Sequence, residues 1–266
     1  MINKSVFGCL RKGKRVWAVA AVRGDANRLS QLHDKLYTEM KTDDRLVYLG
    51  NILGDAWNGE NAVDEALNFR RWVVGRSDGS TDDVIFLRGA QEEMLQKLFE
   101  LQFAHNPTDV LIWMLKNGVG GTIRAYGGNP EEGLAAIRQS AVATTRWTSD
   151  LRERFQKTGH QPWLSNLKHA AFDHQKAILF VSRGIDHERP LDSQHDTFWW
   201  DGSNKFDEIT HPISNFIKVV RGEDLAMRGL VKTEFTVSLD GGCGANGKLI
   251  AACFSADGEL VKFIEI

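Results

Sequence analysis

Charged and amide side chains follow several short apolar runs in this sequence, and their types suit the binding of an anion. Arg23, Arg88 and Arg221 each stand at the end of such a run, and Asn51 ends another. Guanidinium groups bind phosphate or carboxylate groups through paired N–H···O contacts. A buried arginine needs a counter-charge, and Glu223 is a candidate for that role. Two interpretations follow: an anion-binding pocket, or a buried ion pair between Arg23 and Glu223.

The composition is that of a globular protein with a large core. The chain has 266 residues, of which 42% are hydrophobic and 26% charged, and its formal net charge is -2. A global attraction to nucleic acid or to an anionic membrane is therefore not expected. The three cysteines, Cys9, Cys243 and Cys253, form neither a metal-ligand pair nor a disulfide framework, which favours a cytoplasmic location.

Strand-turn-helix units recur three times in the first part of the chain. The apolar runs Val16–Val22, Leu46–Leu49 and Val84–Leu87 each end in a turn that contains glycine. The amphipathic stretches after them predict helices from Asp25 through about Met40, over about Asn61–Val74 and over about Gln91–Phe103. This alternation is typical of a layered α/β sheet, in which polar groups gather at the strand ends.

The second part of the chain predicts a helical insertion followed by more strands. From about Pro107 to Lys168 the pattern is helical, and we interpret it as an insertion over one edge of the sheet. Strands are expected at Ala177–Val181, Ile217–Val220, Glu234–Leu239, Lys248–Phe254 and Glu259–Ile264. A hairpin turn joins the last two, and their close spacing suggests a second, partly antiparallel sheet. The prediction is one α/β domain over residues 1–266, with two facing mixed β-sheets flanked by helices and an insertion at about 107–168.

Six stretches of the sequence, in the same order, resemble motifs of the calcineurin-like metallophosphoesterases. They are RLVYLGN, FLRGAQEEML, LIWMLKNGVGGTIRAYG, AILFVSRGIDHERPLDSQHDTFWW, IKVVRGEDL and SLDGGCGANGKLIAACF. The resemblance runs from about Val16 to the C-terminus and is to the bacterial branch related to serine/threonine phosphatases and symmetrical diadenosine tetraphosphatases. It implies two facing sheets and an active site with two divalent metals, such as Mn or Fe and Zn, that activate water.

The sequence departs from that family where its metal ligands and its general acid stand. The family's metals need carboxylate, imidazole and amide ligands. The ligand positions that can be matched are occupied here by Ala21, Arg23, Asn51, Ala90, Ser182 and Glu223, and the general-acid position by Gln91. Asn51 can coordinate a metal but carries no charge. The expectation is that the protein uses no metal cofactor.

The resemblance and these changes together predict a catalytically inactive phosphoesterase homologue, a pseudophosphatase. Its function would be to bind a protein partner or a phosphorylated ligand, with Arg88, Arg23, Arg221 and Asn51 as the ligand-binding residues of one remnant pocket. Arg88 stands where the family also has arginine, and there it resembles a residue that contacts the substrate phosphate. Neither nucleic acid nor a membrane is an expected partner, and the sequence leaves the oligomeric state open.

The alternative is an active phosphoesterase, for phosphoproteins or dinucleoside polyphosphates, with a rearranged metal site. Asp25, Asp55 and Asp224 each lie next to a changed ligand position and could supply new ligands. A helix N-cap is the simpler role for Asp25, and a turn residue is the simpler role for Asp55. The glycine-rich segment Asp240–Gly247 lacks the helix and lysine of a phosphate-binding loop, and the resemblance places it near the old site instead.

Overall fold

The structure, a computed structural model, describes residues 6–56, 59–76, 79–200 and 205–266. The strands in these ranges are β1 (Phe7–Cys9), β2 (Arg15–Val19), β3 (Asp44–Tyr48), β4 (Val84–Phe86), β5 (Ala170–Phe172), β6 (Ile178–Val181), β7 (Lys218–Arg221), β8 (Val231–Lys232), β9 (Thr236–Ser238), β10 (Ile250–Ser255) and β11 (Leu260–Glu265). The helices are α1 (Ala26–Glu39), α2 (Gly59–Gly75), α3 (Ala90–Leu98), α4 (Pro107–Lys116), α5 (Val119–Ala125), α6 (Pro130–Gln139), α7 (Ala141–Lys157), α8 (Gln161–Ser165) and α9 (Thr197–Trp200).

The strands form two mixed sheets. The first has the order β11-β10-β2-β3-β4; its strands β2, β3 and β4 are parallel, and β10 is antiparallel to both β2 and β11. The second has the order β1-β5-β6-β7-β9-β8, and β6, β7 and β9 are parallel. The carboxyl ends of parallel strands lie at the same end of a sheet. Several loops of each sheet therefore lie close together at that end.

The two sheets face each other across a buried apolar core. Ala18 and Val47 of the first sheet and Val220 of the second belong to one cluster, and the rings of Phe180 and Phe254 lie 6.2 Å apart across it. Helices α1, α2 and α3, with the insertion, cover the outer face of the first sheet through a second cluster. The predicted fold class, two facing mixed sheets flanked by helices, is confirmed.

Local signals placed most of the elements correctly. Asp25 caps α1 by accepting a hydrogen bond from the Arg28 backbone N–H at 3.0 Å, and the helix ends before Met40. The predicted insertion is helical and contains α4 to α8. Asn106 and Pro107 begin it in the usual order of a side-chain cap followed by proline in the first turn. None of the helices in the described ranges is both long and apolar enough to cross a membrane.

One expectation about the sheets was wrong, and three strands were missed. The C-terminal hairpin β10–β11 joins the first sheet, beside β2, and not the second. Proximity in sequence does not decide a strand's partner; β10 is an almost wholly buried run, and it fills the place next to β2. Strands β1, β5 and β8 have only two or three residues each, too few to show an alternating pattern.

Candidate functional site

The site is built where strands of both sheets end. The Arg23 backbone N–H donates to the Asn51 carbonyl oxygen at 2.7 Å, and the Glu223 backbone N–H donates to the Ser182 carbonyl oxygen at 2.8 Å. The loops lie so close that a Cβ on Gly50 would be 2.7 Å from Ser182 Oγ. Glycine is therefore required at position 50. The structure thus gathers four of the predicted positions, which we call the centre: Arg23, Asn51, Ser182 and Glu223.

Two residues of the centre have a left-handed backbone conformation. Arg23 has φ 51° and Asn51 has φ 50°. Asparagine tolerates this region because its side chain can hydrogen-bond locally, whereas arginine has no such compensation and pays roughly 1–2 kcal/mol for it. The conformation of Arg23 is therefore maintained by contacts of its side chain and of the loops around it.

The guanidinium of Arg23 forms a buried ion pair in the centre. Its Nη1 and Nη2 atoms lie 3.0 and 2.6 Å from the two carboxylate oxygens of Asp240, a bidentate arrangement. Nη1 also donates to the Cys243 carbonyl oxygen at 3.3 Å. Nη2 lies 3.7 Å from Glu223 Oε1, so the ion pair expected between Arg23 and Glu223 is present, but it is the weaker of the two. The Arg23 side chain is only 13% exposed.

Burial and charge oppose each other in this network. Burial disfavours the charged form of Arg23, but the hydrogen bonds and charge of Asp240 outweigh it and raise the arginine's pKa. Burial also raises the pKa of Glu223, against the lowering effects of Arg23 and Arg183. Asp240 therefore stabilises the charged form of Arg23, whereas burial destabilises the charged form of Glu223.

Three buried polar atoms of the centre have no hydrogen-bond partner among the described residues. They are Asn51 Nδ2, Ser182 Oγ and Glu223 Oε2. Buried polar atoms are paired in the great majority of native structures, either with protein groups or with water. The protein therefore leaves hydrogen-bonding capacity here that a water molecule or a polar ligand group can use.

Ala21, Ala90 and Gln91, which stand at matched family positions, contribute to packing and hydrogen bonding in this structure. Ala21 and Ala90 are buried, and Ala90 begins α3. The Gln91 backbone N–H donates to Asn51 Oδ1 at 3.0 Å, while its side-chain amide donates to the Asn117 carbonyl oxygen at 2.7 Å. Gln91 therefore ties α3 to the insertion and offers no titratable group where the resemblance implies a general acid.

Two positioning residues escaped the sequence analysis. Asp240 was grouped with a glycine-rich loop, although its place in the SLDGG stretch was a usable signal. Glu92 is fully buried and accepts hydrogen bonds from the backbone N–H groups of Asn51, Leu53 and Gly89 at 2.9, 3.0 and 2.9 Å. Glu92 thereby fixes the loop after β3 against the start of α3.

Arg88 pairs with residues of α3 and not with groups of the centre. Its Nη1 atom donates to Glu93 Oε2 at 2.6 Å and to Gln96 Oε1 at 2.8 Å. Arg88 lines a separate cavity of about 480 Å³ between α3, α7 and α8, which Arg152 also lines. The sequence analysis placed Arg88 in the remnant pocket and did not consider that Glu93 and Gln96, one and two turns along α3, would bind its guanidinium instead.

Arg221 lies in a third environment. Its Nε donates to Ser238 Oγ at 3.0 Å, and its Nη2 lies 3.2 Å from Asp207 Oδ1 and 3.3 Å from Asp224 Oδ1. The guanidinium also packs over the ring of Phe206, 4.2 Å from its centroid. The three arginines predicted as one ligand-binding set are therefore not gathered in one pocket. Whether any of them binds a ligand stays a prediction.

The carboxylates considered for a rearranged metal site are mostly engaged elsewhere. Asp25 caps α1 and pairs with Arg28 at 2.9 Å. Asp224 pairs with Arg228 at 2.6 Å as well as with Arg221. Asp55 is exposed, in the loop before α2. The structure does not bring these three side chains into one ligand set.

The residues of the centre do not fit a pair of divalent metals. Ala21 and Ala90 provide no donor atom, and the Arg23 guanidinium is a cation that can only donate hydrogen bonds. Within residues 6–56, 59–76, 79–200 and 205–266, no group of three or more His, Cys, Asp or Glu side chains could hold a metal ion. No catalytic step through a metal can therefore be derived from these residues, and the absence of bound metal stays a prediction.

Two facing mixed sheets flanked by helices also occur in a solved structure. A crystal structure of a protein provisionally named a diadenosine tetraphosphatase matches with a TM-score of 0.56 and 18% identity, over 98% of this chain and 97% of that chain. A protein serine/threonine phosphatase from Saccharomyces cerevisiae is more distant, with a TM-score of 0.49, 10% identity and coverage of 93% of this chain and 76% of that one. No protein-family model and no curated protein matches the chain. Likeness at this identity shows the fold alone.

Proposed function

We propose that this protein is a catalytically inactive phosphoesterase homologue that works by binding a protein partner or a phosphorylated ligand. The observation that carries the proposal is the buried pairing of Arg23 with Asp240 and Glu223 at the ends of the strands. A guanidinium paired with the Asp240 carboxylate, and more weakly with that of Glu223, uses the negative charge that a divalent cation would need.

The remaining side chains offer no substitute for metal-activated water. A metal can lower the pKa of a bound water from about 15.7 to about 7, and general bases of the histidine or carboxylate type are the usual alternative. In the centre, Ser182 and Asn51 are neutral, and Glu223 is the one carboxylate, with its Oε1 facing the Arg23 guanidinium at 3.7 Å. The interpretation therefore favours binding over hydrolysis.

A protein partner would find apolar contacts on the insertion and next to it. Phe103, Trp113 and Val142 are 82%, 47% and 70% exposed. Exposed aromatic side chains contribute strongly to protein interfaces when a partner buries them. They are the natural positions for crosslinking if the partner is a protein.

The experiment combines elemental analysis of the purified chain with a p-nitrophenyl phosphate assay in Mn²⁺. We expect less than stoichiometric Mn, Fe, Zn or Co, no turnover above buffer, and no rise in melting temperature with these ions. The last expectation follows because a ligand that binds the native state must stabilise it. Tightly held metal at two equivalents per chain would overturn the proposal.

Matched variants separate true activity from a contaminant. Asn51→Ala and Glu223→Ala remove the two side chains of the centre that resemble metal ligands, while Arg228→Ala removes ion pairs with Asp207 and Asp224, outside the centre. Turnover that both centre variants abolish and Arg228→Ala preserves would show an active enzyme. Turnover that persists in all three variants belongs to a contaminant and leaves the expected inactivity supported.

A further inference from the structure

A cavity of about 620 Å³ lies on the side of the sandwich where both sheets have an edge. Its walls come from β1, an edge strand of the second sheet, from β4, an edge strand of the first, and from helices α2 and α8. Arg23, Asp240 and Glu223 do not line it. Its volume is within the roughly 300–1,000 Å³ that is typical of small-molecule sites.

Aromatic side chains provide much of the cavity wall. Phe7 of β1, Phe86 of β4 and Trp163 of α8 line it, and their exposed fractions are 5%, 8% and 6%. Covering aromatic surface in a cavity with an apolar group of a ligand removes that surface from water, which favours binding. The walls therefore suit a ligand with an apolar body.

One guanidinium at the cavity is left without a partner. Arg70 of α2 is half-buried and lines the cavity, and no described residue forms a hydrogen bond, ion pair or ring contact with it. The other charged lining residues that the structure describes are Lys168 and Asp82, so the described part of the lining carries two cations and one carboxylate. An arginine at a cavity whose N–H donors are not used by the protein is a binding partner for an anionic group.

A second unused donor lies at the same cavity. Trp163 Nε1 is buried and has no hydrogen-bond partner among the described residues. Buried tryptophan N–H groups usually find an acceptor. The unpaired N–H therefore belongs to a residue of the cavity wall, and its signal can report on binding there.

We propose that this cavity binds a small amphipathic anion. The apolar body of the ligand packs against Phe7, Phe86 and Trp163, and its carboxylate or phosphate head pairs with Arg70. The site is separate from the centre, and the proposal stands whether or not the centre is catalytic.

Calorimetric titration of the full chain at low salt tests the proposal with octanoate and octyl phosphate as probes and neutral octanol as the comparison. We expect saturable binding of at least one of the anions and weaker binding of octanol. Arg70→Gln should weaken anion binding roughly tenfold or more, because a hydrogen-bonded charge is lost. Arg71→Gln is the matched control: Arg71 is the next residue of α2, is exposed and bonds to Asn68 away from the cavity.

A measurement on the unaltered chain guards against a variant that misfolds. The indole N–H signal of Trp163, assigned by its loss in Trp163→Phe, should shift in an NMR titration with the same anion. The proposal is overturned if neither anion saturates, if octanol binds as tightly as octanoate, or if Arg71→Gln weakens binding as much as Arg70→Gln. An unmoved Trp163 signal during saturable binding would also overturn it, because the probe would then bind elsewhere.

Discussion

Removing the charge of Asp240 should destabilise the protein more than removing Glu223. The Asp240 carboxylate is fully buried and accepts two hydrogen bonds from Arg23, at 3.0 and 2.6 Å, and one each from the backbone N–H groups of Asp224 and Gly242, both at 2.9 Å. Asp240→Asn preserves the shape and leaves Arg23 without its bidentate partner. Because breaking a buried ion pair costs about 3–5 kcal/mol, we expect about 3 kcal/mol for this slightly exposed arginine.

Glu223→Ala should cost much less, about 1 kcal/mol or below. Its carboxylate lies 3.7 Å from Arg23 Nη2, without a hydrogen bond, and its second oxygen has no hydrogen-bond partner among the described residues. Burial raises the pKa of Glu223, so its removal also relieves a desolvation cost. The sequence alone suggested the opposite ranking, with Glu223 as the counter-charge of Arg23.

Urea denaturation of four proteins measures the coupling: the unaltered chain, Arg23→Met, Asp240→Asn and the double variant. Contacting charged residues show interaction energies of about 0.5–3 kcal/mol, and we expect a value near the upper end. Lys14→Met is the control, because Lys14 and its partner Asp43 are 81% and 54% exposed and their ion pair should contribute about 1 kcal/mol or less. A coupling energy near zero, or a larger loss from Glu223→Ala than from Asp240→Asn, would refute the reasoning.

Two further predictions concern pH and thiol reactivity. Because burial raises the pKa of Glu223 above 4.5, the folded state loses stability as the pH rises from about 4.5 through the folded-state pKa. Glu223→Gln lacks this loss, so the difference between its urea midpoint and that of the unaltered chain should grow in favour of the variant as the pH rises through this window. Parallel pH profiles of the two urea midpoints would contradict the assignment. Burial also raises the pKa of Cys243 and Cys253 to about 12. Ellman's reagent at pH 8 should therefore titrate the half-exposed Cys9 in the native protein and all three thiols only after unfolding.

Local structure was predictable from the sequence where a short stretch contains its own signals. Helix α1 is an example, since Asp25 caps it and its apolar residues repeat with helical spacing. The loops of the centre were also placed correctly, because parallel strands bring their ends together. The main partner of Arg23 could not be deduced in the same way, because Asp240 lies 217 residues further along the chain. The SLDGG stretch marks Asp240 as a residue near the site, but it does not show that Asp240 rather than Glu223 is the main counter-charge of Arg23.

The charges of the centre bear on where a phosphorylated ligand would bind. Arg23 faces the carboxylates of Asp240 and Glu223, and the charge of Arg183 also acts on Glu223, so these two cations and two carboxylates sum to zero when all are ionised. A phosphate dianion gains no net attraction from such a group, because the carboxylates balance the charge of the cations. The cavity of about 480 Å³ beside α3 differs: Arg88 pairs there with Glu93, and Arg152 lines it without an ion pair among the described residues, although Glu100 lines it too. If the phosphorylated-ligand part of the proposed function is correct, the cavity beside α3 is the more favourable place, and the centre serves to join the loops of the two sheets.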